Sequence, residues 1–172
     1  MAESPPQRPP RVGHTMQLHP VTAGDPKFRD WLRRYREEIT GEPPDDAWLD
    51  RYTEALFADG GKHRHVWWGV DGGRRVGFAV AVLNRHWANR GRMQGVIGEF
   101  FIYPEFRREG LGRRMAQAVI DWLKDHGADE IQAGVFVGNV RGLRFWESVG
   151  FHLARYSLVY RPDLPREPEE DE

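Results

Sequence analysis

Residues 107–114 read Arg107, Arg108, Glu109, Gly110, Leu111, Gly112, Arg113, Arg114, and these types at this spacing suit a bound phosphate. Two glycines at the mouth of a helix let the backbone approach a ligand closely, and the first-turn N–H groups there have no intrahelical partner. The helix dipole disfavours a cation in the first turn by ~0.3–1 kcal/mol, yet four arginines flank this one. A bound polyanion removes the conflict; the bland alternative is a glycine turn whose arginines are solvated. Other groupings say less. His63 and His65 flank Arg64 at a spacing that can ligate metal, but no third ligand is near and no metal is expected. Asp46, Asp50 and Glu54 recur opposite Trp48, Tyr52 and Leu56, which reads as the solvated face of a helix before it reads as a cation site. Arg85, Arg90 and Arg92 with Trp87 form a basic loop too short and isolated to grip nucleic acid.

The elements that must position such a turn follow from apolar periodicity. Residues 16–20 are a first strand. Phe28, Trp31, Leu32, Tyr35 and Ile39 recur at helical spacing from about Asp25, and residues 41–44 break that helix. A second helix begins near Asp45 with Trp48, Tyr52, Ala55 and Leu56 on one side. Residues 65–70 and 75–83 are strands joined through Asp71, Gly72 and Gly73 as a hairpin. After a polar loop, 84–93, comes a third strand over 95–103. Leu111, Met115, Ala118, Val119, Trp122 and Leu123 then make an amphipathic helix that Gly127 stops. A strand at 130–137, a helix at about 140–149 and a closing strand at 151–160 complete an α+β fold around a mixed sheet.

Composition bounds the rest. At 172 residues one domain is expected. It covers 16–161, between a proline-rich disordered arm, 1–15, and an acidic disordered tail, 162–172. The chain has no cysteine, which excludes disulfide scaffolds, Cys-ligated metals and thiol nucleophiles. Lys plus Arg is 25 against 26 Asp plus Glu, so no global field gathers nucleic acid or an anionic membrane. The longest aliphatic or aromatic run, 78–83, is far short of the ~20 residues a membrane helix needs. A soluble, cytoplasmic protein is the expectation.

A second motif lies about 30 residues beyond the glycine turn. Asn139, Gly142, Phe145, Trp146, Gly150 and Phe151 form Asn-x-x-small-x-x-Phe-aromatic-x-x-x-Gly-Phe. With Arg107-x-x-Gly110-x-Gly112 and the preceding Pro104, it resembles the GNAT superfamily of N-acetyltransferases, most closely over 96–151. The resemblance implies a mostly antiparallel twisted sheet with a splayed parallel pair, flanked by about four helices. It also implies acetyl-CoA as co-substrate, lying between the strands at 95–103 and 130–137. Arg107, Arg108, Gly110, Leu111, Gly112 and Arg113 would hold the pyrophosphate. Backbone near Phe101 and Ile102 would pair with the pantetheine and polarise the thioester carbonyl, and Asn139 and Trp146 complete the cofactor set.

The implied reaction is direct attack of an amine on the thioester in a ternary complex. An alkyl amine has a pKa near ~10.4 and must lose a proton. Glu99 matches the family's carboxylate for this role, which with an ordinary pKa of ~4.3 requires burial or a water relay; the alternative is a strand carboxylate paired with Arg92 or Arg144. Where many relatives carry a tyrosine that protonates the thiolate, this chain has Trp146, a hydrogen-bond donor and no useful acid, so water or Tyr103 would serve. Trp67, Trp68, Trp87 and His86 map to the acceptor side, or to core and dimer contacts. The short C-terminus leaves the last strand missing or shared with a second copy, a homodimer. A primary amine of a small molecule is the expected acceptor. The alternatives are a protein terminus or lysine, and a non-catalytic acyl-CoA-binding module.

Overall fold

Two aspartates start the first two helices. Asp25 accepts from the Lys27 and Phe28 amides at 2.9 and 3.4 Å, and Pro26 brings no N–H that needs a partner, so α1 (Pro26–Thr40) begins there. Asp45 accepts from the Trp48 amide at 2.6 Å and opens α2 (Asp46–Phe57). The computed structural model describes residues 15–159. All but Thr15 of the expected arm, and the whole expected tail, lie outside the described residues.

The remaining elements are β1 (Gln17–Pro20), β2 (Arg64–Asp71), β3 (Arg74–Arg85), β4 (Met93–Ile102), a single 3-10 turn (Pro104–Phe106), α3 (Leu111–Asp125), β5 (Ala128–Ala133) and α4 (Val140–Ser148). The strands form one sheet in the order β1-β2-β3-β4-β5. Every pair is antiparallel except β4 with β5, as the α+β reading required. Asp71 pairs with Arg74, so the hairpin turn is Gly72-Gly73. Their φ values of 54° and 79° are what a tight two-residue turn demands and other residues resist.

Alternation along the strands, interrupted by an extra residue at Val76 and at Gly98, divides the core. Val66, Trp68, Val70, Phe78, Val80 and Phe101 pack under α1 and α2 with Phe28, Leu32 and Leu49. Trp67, Val76, Ala79, Ala81, Ile97 and Ile102 pack with Met115, Val119 and Leu123 of α3. No helix among the described residues is long and apolar enough to cross a membrane.

Three boundaries differ from expectation. The polar loop is shorter than 84–93, because β3 runs to Arg85 and β4 starts at Met93. The strand expected at 130–137 is β5, Ala128–Ala133. The closing strand at 151–160 is not formed over 151–159, and Tyr160 lies outside the described residues. Its residue types favour a strand, but that preference takes effect only where the side chains have a surface to cover. Here Leu153, Tyr156, Leu158 and Val159 are exposed, and Arg155 reaches β5 only through its side chain, at Gln132 Oε1, 2.5 Å away.

Candidate active site

One extra residue in β4 decides where Glu99 points. Val80 pairs with Glu99 but its neighbour Ala81 pairs with Ile97, leaving Gly98 as a bulge. Without it, period-two alternation would put Ile97, Glu99 and Phe101 on one face. With it, Ile97 packs toward α3 while Phe101 packs toward α1 and α2, and Glu99 goes with Phe101. There the Tyr52 hydroxyl donates to Glu99 Oε1. Tyr35 of α1 packs its ring on Phe101, two residues along the same strand, near enough to feel the charge of that carboxylate. Burial raises the pKa of both phenols, and the charge and hydrogen bonding of Glu99 raise them further. The expected partners Arg92 and Arg144 are therefore replaced by Tyr52. It was legible only as an apolar helix position; the signal was that a tyrosine on a buried face needs a partner for its hydroxyl.

The same strand opens a groove. The β4–β5 ladder stops at Ile97 with Ala133, followed by the Gly134 amide on Ile97 O at 3.3 Å. Beyond that, β4 continues to Ile102 with no strand on its β5 side among the described residues. The result is a cavity of about 650 Å³ bounded by Gly98, Phe100 and Ile102 of β4, by 134–139 after β5, and by Tyr35 and Glu38 of α1.

The glycine turn closes the far end of this groove. Gly110 is the N-cap of α3 at φ 75° and supplies no side-chain cap. The first bond of the helix runs from Arg114 N–H to Gly110 O at 3.2 Å, so the Leu111, Gly112 and Arg113 amides precede the ladder. Gly112 is small for packing: a Cβ there would lie 3.3 Å from the Phe145 ring of α4. The Leu111 side chain is core, so only its backbone is available to a ligand.

The arginines resolve their conflict with the dipole differently from expectation. Arg107 donates through Nε to Ile102 O and through both Nη atoms to the Glu38 carboxylate, each at 2.8 Å, with its guanidinium over the Phe101 ring. Arg113 donates to Ser148 O at 2.7 Å and Arg114 to Asp71 at 2.7 Å. Three of the four are thus tied within the chain. The Ile102 carbonyl, expected to be available to pantetheine, is occupied by Arg107. Arg108, in a left-handed conformation at φ 63°, lines the groove with Arg141; neither forms an ion pair among the described residues. Arg141 has no place in either motif, which is why sequence reasoning missed it.

Asn139 accepts from the Gly142 amide at 2.9 Å and caps α4. The Asn-x-x-small spacing is therefore helix chemistry, with Asn139 also bordering the groove. Trp146 is 7% exposed and packs edge-on against Phe100, Phe145 and Phe151, a core residue whose ring also lines the groove. Tyr103 stacks on Trp31 at 4.5 Å and lies outside the groove lining, so it is not brought together with the glycine turn. Phe101 faces Tyr35 and Phe78, leaving its backbone as the groove-side part.

The other candidates are placed elsewhere. Asp46 and Asp50 are exposed and paired with Arg29 and Arg33 of α1 at 2.5–3.0 Å. His65 packs between Trp67 and Trp122, and burial lowers its pKa.

Residues 26–151 match the model of the acetyltransferase (GNAT) family. The chain is similar to N-alpha-acetyltransferase 30 of Schizosaccharomyces pombe, 34% identical over 85 residues, covering 49% of this chain and 55% of that protein. It therefore spans about half the length of that relative. It is also similar to aminoglycoside N(6')-acetyltransferase type 1 of Salmonella typhimurium, 26% identical over 134 residues, 77% of this chain and 90% of that one. In fold it resembles the aminoglycoside N-acetyltransferase AAC(6')-Iy in complex with CoA, with a TM-score of 0.64 at 21% identity, covering 91% of this chain and 100% of that chain.

Proposed function

Because the chain belongs to the acetyltransferase (GNAT) family and is with it an acetyl-CoA-dependent acyltransferase, we propose that it moves an acetyl group onto a primary amine of a small molecule, by direct attack in a ternary complex. One juxtaposition carries this reading. The uncapped start of α3, the unpaired stretch of β4 and the bulge that aims Glu99 all border one groove or adjoin it. Its volume of about 650 Å³ is in the range of cavities that take an elongated cofactor arm, and its phosphate end offers backbone donors at a helix start. Acetyl-CoA supplies an acyl group already activated as a thioester.

The residues of this chain do the rest. The Leu111, Gly112 and Arg113 amides hold the diphosphate, with Arg108 and Arg141 at the rim. The free side of β4 near Phe101 holds the pantetheine and orients the thioester. Glu99 takes the proton that the attacking nitrogen must lose. A thiol with an ordinary pKa of ~8.5 leaves tolerably near neutrality, so no side-chain acid is required. Trp146 in the core therefore does not argue for a non-catalytic module.

A small-molecule amine is favoured over a protein terminus by breadth of match: the aminoglycoside relative is similar over 77% of the chain, the protein N-terminal relative over 49%. The test is release of free thiol from acetyl-CoA with a panel of aminoglycosides, polyamines and short peptides. Turnover of a small amine above peptide turnover is expected. CoA binding with no thiol released on any amine would overturn the reading.

A further inference from the structure

Among the described residues, Glu38 is the only carboxylate that borders the groove, against Arg107, Arg108, Arg113 and Arg141. Both of its oxygens already accept from Arg107. The acids of α2 contribute nothing to this wall: Asp45 accepts from the Trp48 amide, Asp46 and Asp50 pair with Arg29 and Arg33, and Asp50 and Glu54 border a separate, smaller cavity. Glu99 remains, half-buried beside Gly98 and Phe100 of the groove wall and fixed by the Tyr52 hydroxyl. Its surroundings are rings. Tyr52 stacks on Trp48 at 4.5 Å, and Tyr35, which borders the groove with Ile39, packs on Phe101 at 5.6 Å. The charged group seated among these rings is a cation, the Arg36 guanidinium, 4.7 Å over Trp48. On the wall that follows β5, Phe136 borders the same groove and is 59% exposed.

We infer that the acceptor is a monoamine carried on an apolar, ring-containing body, its ammonium received by Glu99 and its body laid on Tyr35, Ile39 and Phe136. The inference rests on the acyl-transfer reading and narrows it. Arg108, Arg113 and Arg141 answer the phosphates at the far end of the groove, so the acceptor end is decided by Glu99, Arg36 and the already matched Glu38–Arg107 pair. One carboxylate neutralises one ammonium. Each further ammonium of a polycation would leave water with no anion of its own and with a guanidinium nearby. An apolar body gains instead, because it takes the exposed ring of Phe136 and the half-buried Ile39 out of water, which favours binding by about ten- to a hundredfold. A ring can also pack edge-on or offset against Tyr35. An aminoglycoside, with several ammonium groups on a polar body, is disfavoured on both counts.

Thiol release from acetyl-CoA by the full chain is compared for phenethylamine, spermidine and neamine at one ionic strength. The kcat/KM for the aromatic amine should exceed that for either polycation by about tenfold or more. Equal or better use of a polycation would overturn the assignment and leave acyl transfer standing. Ile39→Glu places a second carboxylate on the groove wall and should move the ratio toward spermidine by about tenfold, a gain that added salt removes. Ile39→Gln, uncharged and similar in size to the Glu, should not move it. Identical ratios in the two variants would show that charge on this wall does not select the acceptor and would overturn the assignment. Should no amine release thiol with the wild type, acyl transfer itself fails, and calorimetric titration of the same three amines into the CoA complex decides the ligand class without turnover. Tightest binding by phenethylamine would then support the assignment, and equal, reversed or absent binding would overturn it.

Discussion

Replacing Gly110 by Ala separates what the turn does for the fold from what it does for the cofactor. Gly110 sits at φ 75° with nothing within 4 Å of where a Cβ would be. The substitution meets no clash, and its whole effect is conformational. Holding an L residue in the left-handed region costs ~1–2 kcal/mol. If the free protein keeps the turn, that cost is a stability loss. At ~2–4 °C per kcal/mol for a chain of this size, melting should fall by roughly 2–8 °C with CoA affinity unchanged. If the turn instead relaxes, the Leu111, Gly112 and Arg113 amides drift and the fold is spared. CoA must then restore the turn, and its affinity falls by about 5- to 30-fold. The two losses together should sum to the same 1–2 kcal/mol. Thermal unfolding of the free protein and calorimetric titration with CoA measure them in turn, and Gly110→Asn, which tolerates this conformation better, should show a smaller total. Unchanged melting and unchanged CoA affinity in Gly110→Ala would refute both the strained turn and the placement of the diphosphate on it.

Three further outcomes follow from the same geometry. Glu38→Gln removes the charged partner of the half-buried Arg107 and should destabilise by ~1–2 kcal/mol, read in denaturant unfolding; no change would show that Ile102 O alone holds the guanidinium. Asn139→Ala deletes the α4 cap and should cost ~1 kcal/mol, whereas Asn139→Asp, which can still cap, should melt near wild type. His65 is held below its ordinary pKa chiefly by burial, with His126 and His63 adding and Asp59 opposing. The unfolded chain therefore binds its proton first, and stability should drop as pH falls below ~6.5; in His65→Phe that part of the melting-temperature decline between pH 7 and 5 should be missing.

What was legible in the chain is what depends on local chemistry. Asp25, Asp45 and the Gly72-Gly73 turn announce themselves, because a cap or a left-handed turn is set by its own residues. The glycine turn at the head of α3 is readable for the same reason. Glu99 could be placed on a strand but not aimed, since its direction depends on the Gly98 bulge, a property of β3 and β4 together. The roles of Tyr52 and Glu38 were hidden, because their partners lie 47 and 69 positions away in Glu99 and Arg107. The strand expected over 151–160 failed because strand propensity needs a face to cover, and these side chains face solvent.

The arginines show how this site divides labour between side chain and backbone. An anion site built on flexible cations would order them only on binding, losing side-chain entropy at that moment. Here Arg107 braces the end of β4 against α1 through Glu38 and Ile102 O. Arg113 ties α3 to the end of α4 through Ser148 O, and Arg114 ties it to the β2–β3 hairpin through Asp71. The first two contacts fix the β4, α1 and α4 walls of the groove relative to the start of α3, and the third anchors α3 to the sheet. The groups left for the ligand are then mainly amides already oriented by the fold, whose donors need no rearrangement. On this account, replacing Arg107 should weaken CoA by loosening the groove, and Lys should not rescue it, because a single ammonium cannot bridge Ile102 O and both carboxylate oxygens of Glu38. If Arg107→Lys bound CoA like the wild type, the arginine would be acting as a charge and the bracing role would be wrong.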